Sequence, residues 1–469
     1  MTVATKRNLL TSTCIGTLYD ENGHFALDGI LFQMVQLDED TTVGSYFVSN
    51  YPPYSFWTPD HVSDAFAALD RAPAPGTPLG VYLHIPFCRK RCHFCYFKVY
   101  TDKNASEIEA YIDAAIQELS LYATRPFIGG RTPRFVYFGG GTPSYISSSQ
   151  LERLVTGMKK QLSWDAAEEV TFECEPGTLT EGKLKVIRDL GVTRLSLGIE
   201  HFDDYILQIN GRAHGHKEIG RAFAFARSLG FPQINIDLIA GMMGDTDEKW
   251  RDCVRQCIEL DPDSVTIYQM EVPYNTTIFK EMKERGDSVA PVAGWKVKRD
   301  WVQYAFAELE KAGYTLGSAY TAVKNVKRSS FLYRDLLWQG ADMIGLGVAS
   351  FSHVGGVHFQ NEHDWGTYMA RIEQGQPPIY RALKPSGEER LIRELILQMK
   401  LGRVSRPYFE RKFGVDLAQK FAGPLGVLKD RGFLTIDTDT LKLNRDGLMQ
   451  VDRLLHEFFL PQHRNARYA

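Results

Sequence analysis

From Val81 onward the chain alternates short apolar runs with longer amphipathic stretches. The runs are VYLHIP, RFVYFGG, EVTFECEP, RLSLGIE, QINIDLIAG and SVTIYQMEV. Between them lie segments whose apolar residues recur at helical spacing, such as SEIEAYIDAAIQELSLY and HKEIGRAFAFARSLG. A run too short for a helix followed by a 3.6-residue period reads as strand then helix. Six such alternations predict repeated βαβ units and a parallel sheet. Their number and length suit an α/β fold built on a curved sheet, a partial (β/α)6 barrel. Function is then expected at the C-terminal strand ends. Turn and polar residues collect there: Cys88 after the first run, GGGTP after the second, Glu173 in the third, Glu200 closing the fourth and Asp237 in the fifth.

The flanks read differently. Residues 1–79 are expected to form an N-terminal extension ending in a linker, RAPAPGTPLG, whose prolines cannot donate backbone hydrogen bonds. The barrel with its closing segment spans 80–384. Within it ASFSHVGGVHFQNEHDW carries His353, His358 and His363 and is expected to line the substrate cavity. From 385 to 469 a helix (SGEERLIRELILQMKLG), a hairpin (RGFLTIDTDTLKLN) and a closing helix (RDGLMQVDRLLHEFFL) predict a winged-helix-like domain. That domain is not strongly basic, so a lid or packing role is expected rather than DNA binding.

Composition narrows the classes. A formal net charge of −3 with 24% charged residues gives no bulk electrostatic reason to bind nucleic acid or membrane surfaces. The N-terminal MTVATKRNLLTSTCIG lacks the apolar core of a secretory signal. No window approaches the ~18 consecutive apolar residues of a membrane span. A cytoplasmic protein is expected. Its seven cysteines, an odd number, cannot all be paired in disulfides.

Three of those cysteines, Cys88, Cys92 and Cys95, stand in the spacing C-x3-C-x2-C directly after the first strand. A structural zinc site takes four ligands. Three thiolates can instead hold three irons of a [4Fe–4S] cubane, leaving the fourth iron open to a chelating molecule. Arg89, Lys90 and Arg91 would offset the negative charge of such a cluster, and Phe94 and Phe97 would restrict solvent. The alternative is a zinc loop borrowing His93 or Cys174.

YLHIPFC, FGGGTPS, ECEPGT, RLSLGIEHF, NIDLIAGM and GADMIGLGVASF, in this order, resemble the radical S-adenosylmethionine (SAM) superfamily. More closely they resemble its HemN-like branch, over about residues 80–460. The resemblance implies a [4Fe–4S] cluster on Cys88, Cys92 and Cys95, and SAM on the open iron. Reductive cleavage of SAM then gives a 5′-deoxyadenosyl radical. It implies SAM contacts from Tyr82, Phe94, Gly140, Gly141, Thr142, Glu173, Arg212 and Asp237, a small-molecule substrate, and a reductant such as flavodoxin or ferredoxin. Relatives carry glutamine where this chain has Glu200, so that acid is either a further SAM contact or a proton shuttle. Tyr82 and Glu200 are the candidate catalytic residues.

Two departures bear on the reaction. Oxidases of the branch have a further cysteine two residues beyond the motif, where this chain has Phe97. Its haem chaperones carry HN-x2-YW, where this chain has YRDLLW. Methyl or methylene transfer, giving methylation or cyclopropane formation with a second SAM, is therefore the leading expectation. Oxidative decarboxylation of coproporphyrinogen III or related tetrapyrrole chemistry is the alternative, and haem delivery stands behind both.

Overall fold

The computed structural model describes residues 46–287, 290–327, 329 and 331–464; most of the expected N-terminal extension, residues 1–45, lies outside the described residues. The six predicted strands form in the predicted order. They are β1 (Leu79–Ile85), β2 (Phe135–Gly140), β3 (Glu169–Cys174), β4 (Arg194–Glu200), β5 (Gln233–Ala240) and β6 (Ser264–Gln269). All six are parallel, each paired with the next. The sheet continues beyond β6 through β7 (Thr315–Leu316) and β8 (Thr321–Val323). Beyond β1 it continues through β9 (Asp342–Leu346), β10 (Phe351–Val354), β11 (Val357–Asn361) and β12 (Ile379–Leu383). The result is one 12-stranded sheet, open between β7 and β12, whose six-unit parallel part is a partial barrel.

Period two along each strand separates two environments. On the helix side lie Val81, Leu83 and Ile85 of β1 and Leu195, Leu197 and Ile199 of β4, all at most 2% exposed. On the lumen side of β3 to β6 the same alternation supplies polar residues, and these satisfy one another. Ser196 Oγ donates to Asp237 (2.8 Å), and Asn235 Nδ2 donates to Asp237 (2.9 Å) and Ser196 (3.0 Å). Ser264 and Thr266 donate to Asn235 Oδ1 (2.7 and 3.1 Å). Buried polar groups are tolerated at little cost only when bonded in this way. The helices between strands are locally encoded: Ala105–Ala123 opens with a capping box in which Asn104 and Glu107 each accept the other's backbone N–H.

Past β12, helix Gly387–Met399 leads into β13 (Arg403–Ser405), three short helices, and the hairpin β14 (Leu434–Ile436)–β15 (Thr440–Leu443). β15 pairs antiparallel with both β13 and β14, making a small three-stranded sheet. Residues 46–58 form a strap held by the barrel and this C-terminal segment. Phe47 N donates to Glu271 (2.5 Å) and Val48 N to Asp452 (2.9 Å), and the fully buried Lys400 Nζ donates to Val48 O (2.6 Å). Further along, Thr58 pairs with Ala382 of β12. No described helix is long and apolar enough to cross a membrane.

Candidate active site

The loop that leaves β1 is fixed at its base. Tyr100 N donates to Pro86 O (2.7 Å) and Cys88 N to Tyr100 O (3.0 Å), so the loop is a closed excursion. Within it Cys95 N donates to Cys92 O (3.1 Å), and His93 N donates to Asn210 O (3.0 Å). Cys88, Cys92 and Cys95 are free thiols. Thr142 Oγ1 donates to Cys88 Sγ (3.4 Å) and Arg212 Nη1 to Cys92 Sγ (3.3 Å). Arg91 donates to the Cys95 carbonyl (2.9 Å). Donors aimed at sulfur are what a cluster carrying negative charge on its thiolates needs. Burial pushes the Cys88 thiol up to about 11 and Cys95 to about 12, so a bound cation must supply the charge that keeps them ionised.

Cys174 and His93 do not join the group. Cys174 lies in the helix-side core with Sγ near Phe172 O, and the His93 ring packs against Gly211. Among the described residues no three His, Cys, Asp or Glu side chains converge closely enough to hold one metal ion. A cubane makes no such demand, because its irons are spread over the cluster and each takes its own sulfur.

GGGTP follows β2 directly beside the loop. Gly141 N donates to Ile85 O and Thr142 N to Phe87 O, both at 2.8 Å. Gly140 has φ +113°, and a Cβ there would lie 2.4 Å from the His84 ring, so only glycine fits. Glu173 accepts from Gly140 N (3.2 Å) and from Tyr137 Oη (2.6 Å). Burial raises Glu173 to about 7 against the pull of Tyr137. Glu200 closes β4 at a register shift with φ +67°, an uncommon conformation for a non-glycine residue. Burial raises it, too, to about 7, with Arg212 opposing. Arg212 sits 3.7 Å from Glu200, donates to Gly198 O, and leaves its buried Nε without a partner. Burial also raises Asp237, opposed by Arg194 and by its neutral donors. Phe94 packs on the small apolar cluster of Ile206, Ile239, Met242, Met270 and Ile278.

These groups border an internal space. Tyr268, on the lumen face of β6 with Ser264 and Thr266, is 41% exposed, and Glu173, Glu200 and Asp237 are only partly buried on the same side of the sheet. Tyr82 belongs to an aromatic stack, 5.8 Å from Tyr137, which lies 4.3 Å from Tyr333. Tyr137, Tyr333, His84 and Arg194 were not singled out in the sequence. His84 Nε2 donates to Lys98 O (3.0 Å), and burial lowers the ring to about 4, so it is neutral. Arg194 lies over the Phe331 ring at 4.1 Å and faces several lumen acids at once. The available signal was period two: all four except Tyr333 occupy lumen positions of strands whose other face is apolar.

The closing segment departs from expectation. His353 and His358 do not face the internal space. Their Nδ1 atoms meet at 3.0 Å across β10 and β11, and Trp57 of the strap stacks on His358 with an interplanar angle of 11°. His363 is exposed near Tyr380. The reason is the strap, which packs on the lumen side of β10 and β11.

Comparison with known proteins supplies the family. The radical SAM superfamily model matches residues 82–257. The oxygen-independent coproporphyrinogen III oxidase of Escherichia coli (strain K12) is 27% identical over 415 residues, covering 86% of this chain and 87% of that protein. The haem chaperone HemW of Lactococcus lactis is 29% identical over 399 residues, covering 82% and 98%. The solved structure of coproporphyrinogen III oxidase (HemN) from Escherichia coli superposes with a TM-score of 0.76 at 25% identity, covering 88% of this chain and 96% of that one. Residues 82–257 are a radical SAM domain, and the chain is similar to HemN-like proteins along most of its length. Its cofactors are a [4Fe–4S] cluster and SAM. The donor set on Cys88 and Cys92, the spare Arg212 Nε and the glycine cradle at Gly140 fit them.

Proposed function

We propose that this enzyme acts on a porphyrinogen or a closely related tetrapyrrole, converting propionate side chains to vinyl groups by oxidative decarboxylation. The observation that carries the reading is coverage. Similarity to the coproporphyrinogen oxidases runs through the barrel, the closing strands and the C-terminal segment alike, and the HemN fold matches over 88% of the chain. The expectation of methyl or methylene transfer rested on Phe97 standing where oxidases carry a cysteine, and the relatives reported above lend it no support.

When bound, the reduced cluster and SAM supply a hydrogen-abstracting 5′-deoxyadenosyl radical. The net reaction balances with SAM as oxidant: propionate plus SAM gives vinyl, CO2, methionine and 5′-deoxyadenosine. The electron from a flavodoxin- or ferredoxin-class donor is returned at the end. The protein's part is orientation and exclusion of water. Cys88, Cys92 and Cys95 hold the cluster, with Thr142 and Arg212 donating to its sulfurs. Gly140, Gly141 and Thr142 form the floor for the methionyl group, and Arg212 Nε is the free donor for its carboxylate. Glu173 and Asp237 accept from SAM's ammonium and ribose, as ionised carboxylates held in place by Tyr137, Ser196 and Asn235. Glu200, beside Arg212, completes that shell, Phe94 shields the loop, and the Tyr82–Tyr137 stack walls the site.

The test is anaerobic reaction of the reconstituted, reduced enzyme with SAM and coproporphyrinogen III, followed by mass spectrometry of nucleosides and tetrapyrroles. Vinyl-bearing product with one 5′-deoxyadenosine per vinyl is expected. The protein carrying Cys88→Ala, Cys92→Ala and Cys95→Ala should hold no cluster iron and form neither product. A methylated tetrapyrrole with S-adenosylhomocysteine would replace decarboxylation by alkyl transfer. Unchanged coproporphyrinogen beside cleaved SAM would overturn the substrate class.

A further inference from the structure

The shell around the proposed SAM site is acidic, with Glu173, Glu200 and Asp237 all on the parallel strands. A porphyrinogen propionate needs the opposite charge, placed away from those acids yet within reach of the cluster loop. Arg381 offers such a charge outside the acidic shell. Arg381 stands on β12, the far edge of the open sheet from β6. Its guanidinium is fixed on two sides: Nε donates to Gln360 Oε1 (2.7 Å) and Nη1 donates to Tyr54 O (3.0 Å). Its Nη2 has no hydrogen-bond partner among the described residues, and the side chain is half-buried. Gln360 is itself held, donating Nε2 to Ala349 O (3.1 Å), a residue at φ +60°. A guanidinium pinned by two bonds loses little freedom when a third group binds its open edge.

Tyr54 fixes where that open edge lies. Its ring lies tilted against Phe351 with centroids 4.4 Å apart, and its hydroxyl meets Ser49 (3.2 Å). The strap that carries Tyr54 joins the two ends of the sheet: Phe47 N donates to Glu271, just after β6 (2.5 Å), and its ring lies 6.5 Å from that of Tyr268, while Tyr54 O accepts from Arg381 on β12 (3.0 Å). The β6 end is tied in turn to the cluster loop, because Asn275 Nδ2 donates to Tyr96 O (3.0 Å). Tyr96, 38% exposed, follows the cluster cysteines. The exposed faces of Tyr96 and Tyr268 offer flat apolar surface of the kind pyrrole rings pack on.

We infer that Arg381 anchors a propionate carboxylate of the tetrapyrrole at the mouth of the site, with Gln360 and the Tyr54 carbonyl as its positioning partners. This rests on the substrate class proposed above. The macrocycle then lies against the tyrosines, and a propionate other than the anchored one reaches toward the cluster loop. Arg381 is a specificity residue for a carboxylate, and an uncharged ring system should not sense its loss.

The full-length enzyme is titrated with coproporphyrin III, the air-stable oxidised tetracarboxylate, and separately with its tetramethyl ester, with binding read by absorbance and fluorescence. Arg381→Gln should weaken the acid form about tenfold to a hundredfold, as expected for loss of a charge-assisted pair, and leave the ester unchanged. Arg381→Lys, which keeps charge but cannot bond Gln360 and Tyr54 together, should weaken the acid form only a few-fold. Far-UV circular dichroism and cluster iron content verify folding; if Arg381→Gln fails to fold, Arg381→Lys alone decides, and an unchanged acid-form affinity overturns the inference. Arg381→Gln binding the acid form as tightly as the unaltered enzyme also overturns it, and leaves the tetrapyrrole reading standing. An unaltered enzyme that binds neither porphyrin overturns that reading and this inference with it.

Discussion

The two halves of the sheet treat their lumen faces in opposite ways. From β1 to β6 the lumen carries carboxylates, hydroxyls and an arginine, bonded mostly to neutral donors and bordering an internal space. From β9 to β12 the lumen is closed by the strap: Trp57 covers His358, and Tyr54 covers Phe351. The first half keeps charge at the expense of packing, and the second keeps packing with neutral histidines. A site that takes a charged cofactor and the proposed tetrapyrrole needs both. The first half supplies oriented charge, and the second supplies a rigid wall on which Arg381 is mounted.

If the closing half is a packed wall, emptying it should cost stability before it costs cofactor binding. Trp57 is 4% exposed. Trp57→Ala should therefore destabilise the protein by about 3–5 kcal/mol, read by denaturant unfolding, with SAM affinity of the folded protein changed less than twofold. A large loss of SAM affinity with unaltered stability would reverse the assignment of the two halves.

The parallel half should behave the other way. Glu173→Gln keeps the shape but removes the charge that accepts from Gly140 N and Tyr137. SAM binding, measured by equilibrium dialysis on the reconstituted protein, should weaken by about 1.5–3 kcal/mol, with the unfolding midpoint nearly unmoved. Equal SAM affinity in the variant would remove Glu173 from the shell.

The smallest expected effect separates the halves by pH. Glu173 and Glu200 are raised to about 7, so both are ionised above that value and protonated below it. SAM, as a cation, should bind progressively less tightly as pH falls through 7. His353 and His358 are held well below the ordinary histidine value of 6.5 by burial and by Arg393. Below pH 6.5 the unfolded chain takes up protons that the folded pair refuses. Their contribution to stability is therefore whole above 6.5 and lost progressively beneath it. His358→Phe should flatten the acid limb of the stability profile and leave the SAM profile alone. If His358→Phe shifts the SAM profile as well, the two halves are coupled.

Much of the parallel half was legible because its information is local. Each strand announces itself by an apolar run, and each helix by period and cap, as at Asn104 and Glu107. The ligand spacing C-x3-C-x2-C depends on nothing but the loop. Cys88, Cys92 and Cys95 could be named from their spacing, the GGGTP turn, Glu173 and Glu200 from their places at or near strand ends together with the family resemblance, and Asp237 as an acid inside an apolar strand. Arg212 could be named by resemblance, though not its contact with Cys92, which is 120 residues away in sequence. Tyr333 and Arg381 gave no local sign, since each acquires its role from a strand or strap distant in the chain.

The chain's own pattern thus determined the βα alternation, the cluster loop and the chemistry of its thiols, because strand period, helix period and ligand spacing are properties of neighbouring residues. Tertiary structure alone decided that residues 46–58 would cross the sheet, that His353 and His358 would be packed wall rather than cavity lining, and that Arg381 would be pinned between Gln360 and the Tyr54 carbonyl of the strap. Those outcomes depend on which distant surfaces meet when the sheet curls, and burial against a distant partner leaves no periodic trace in the sequence.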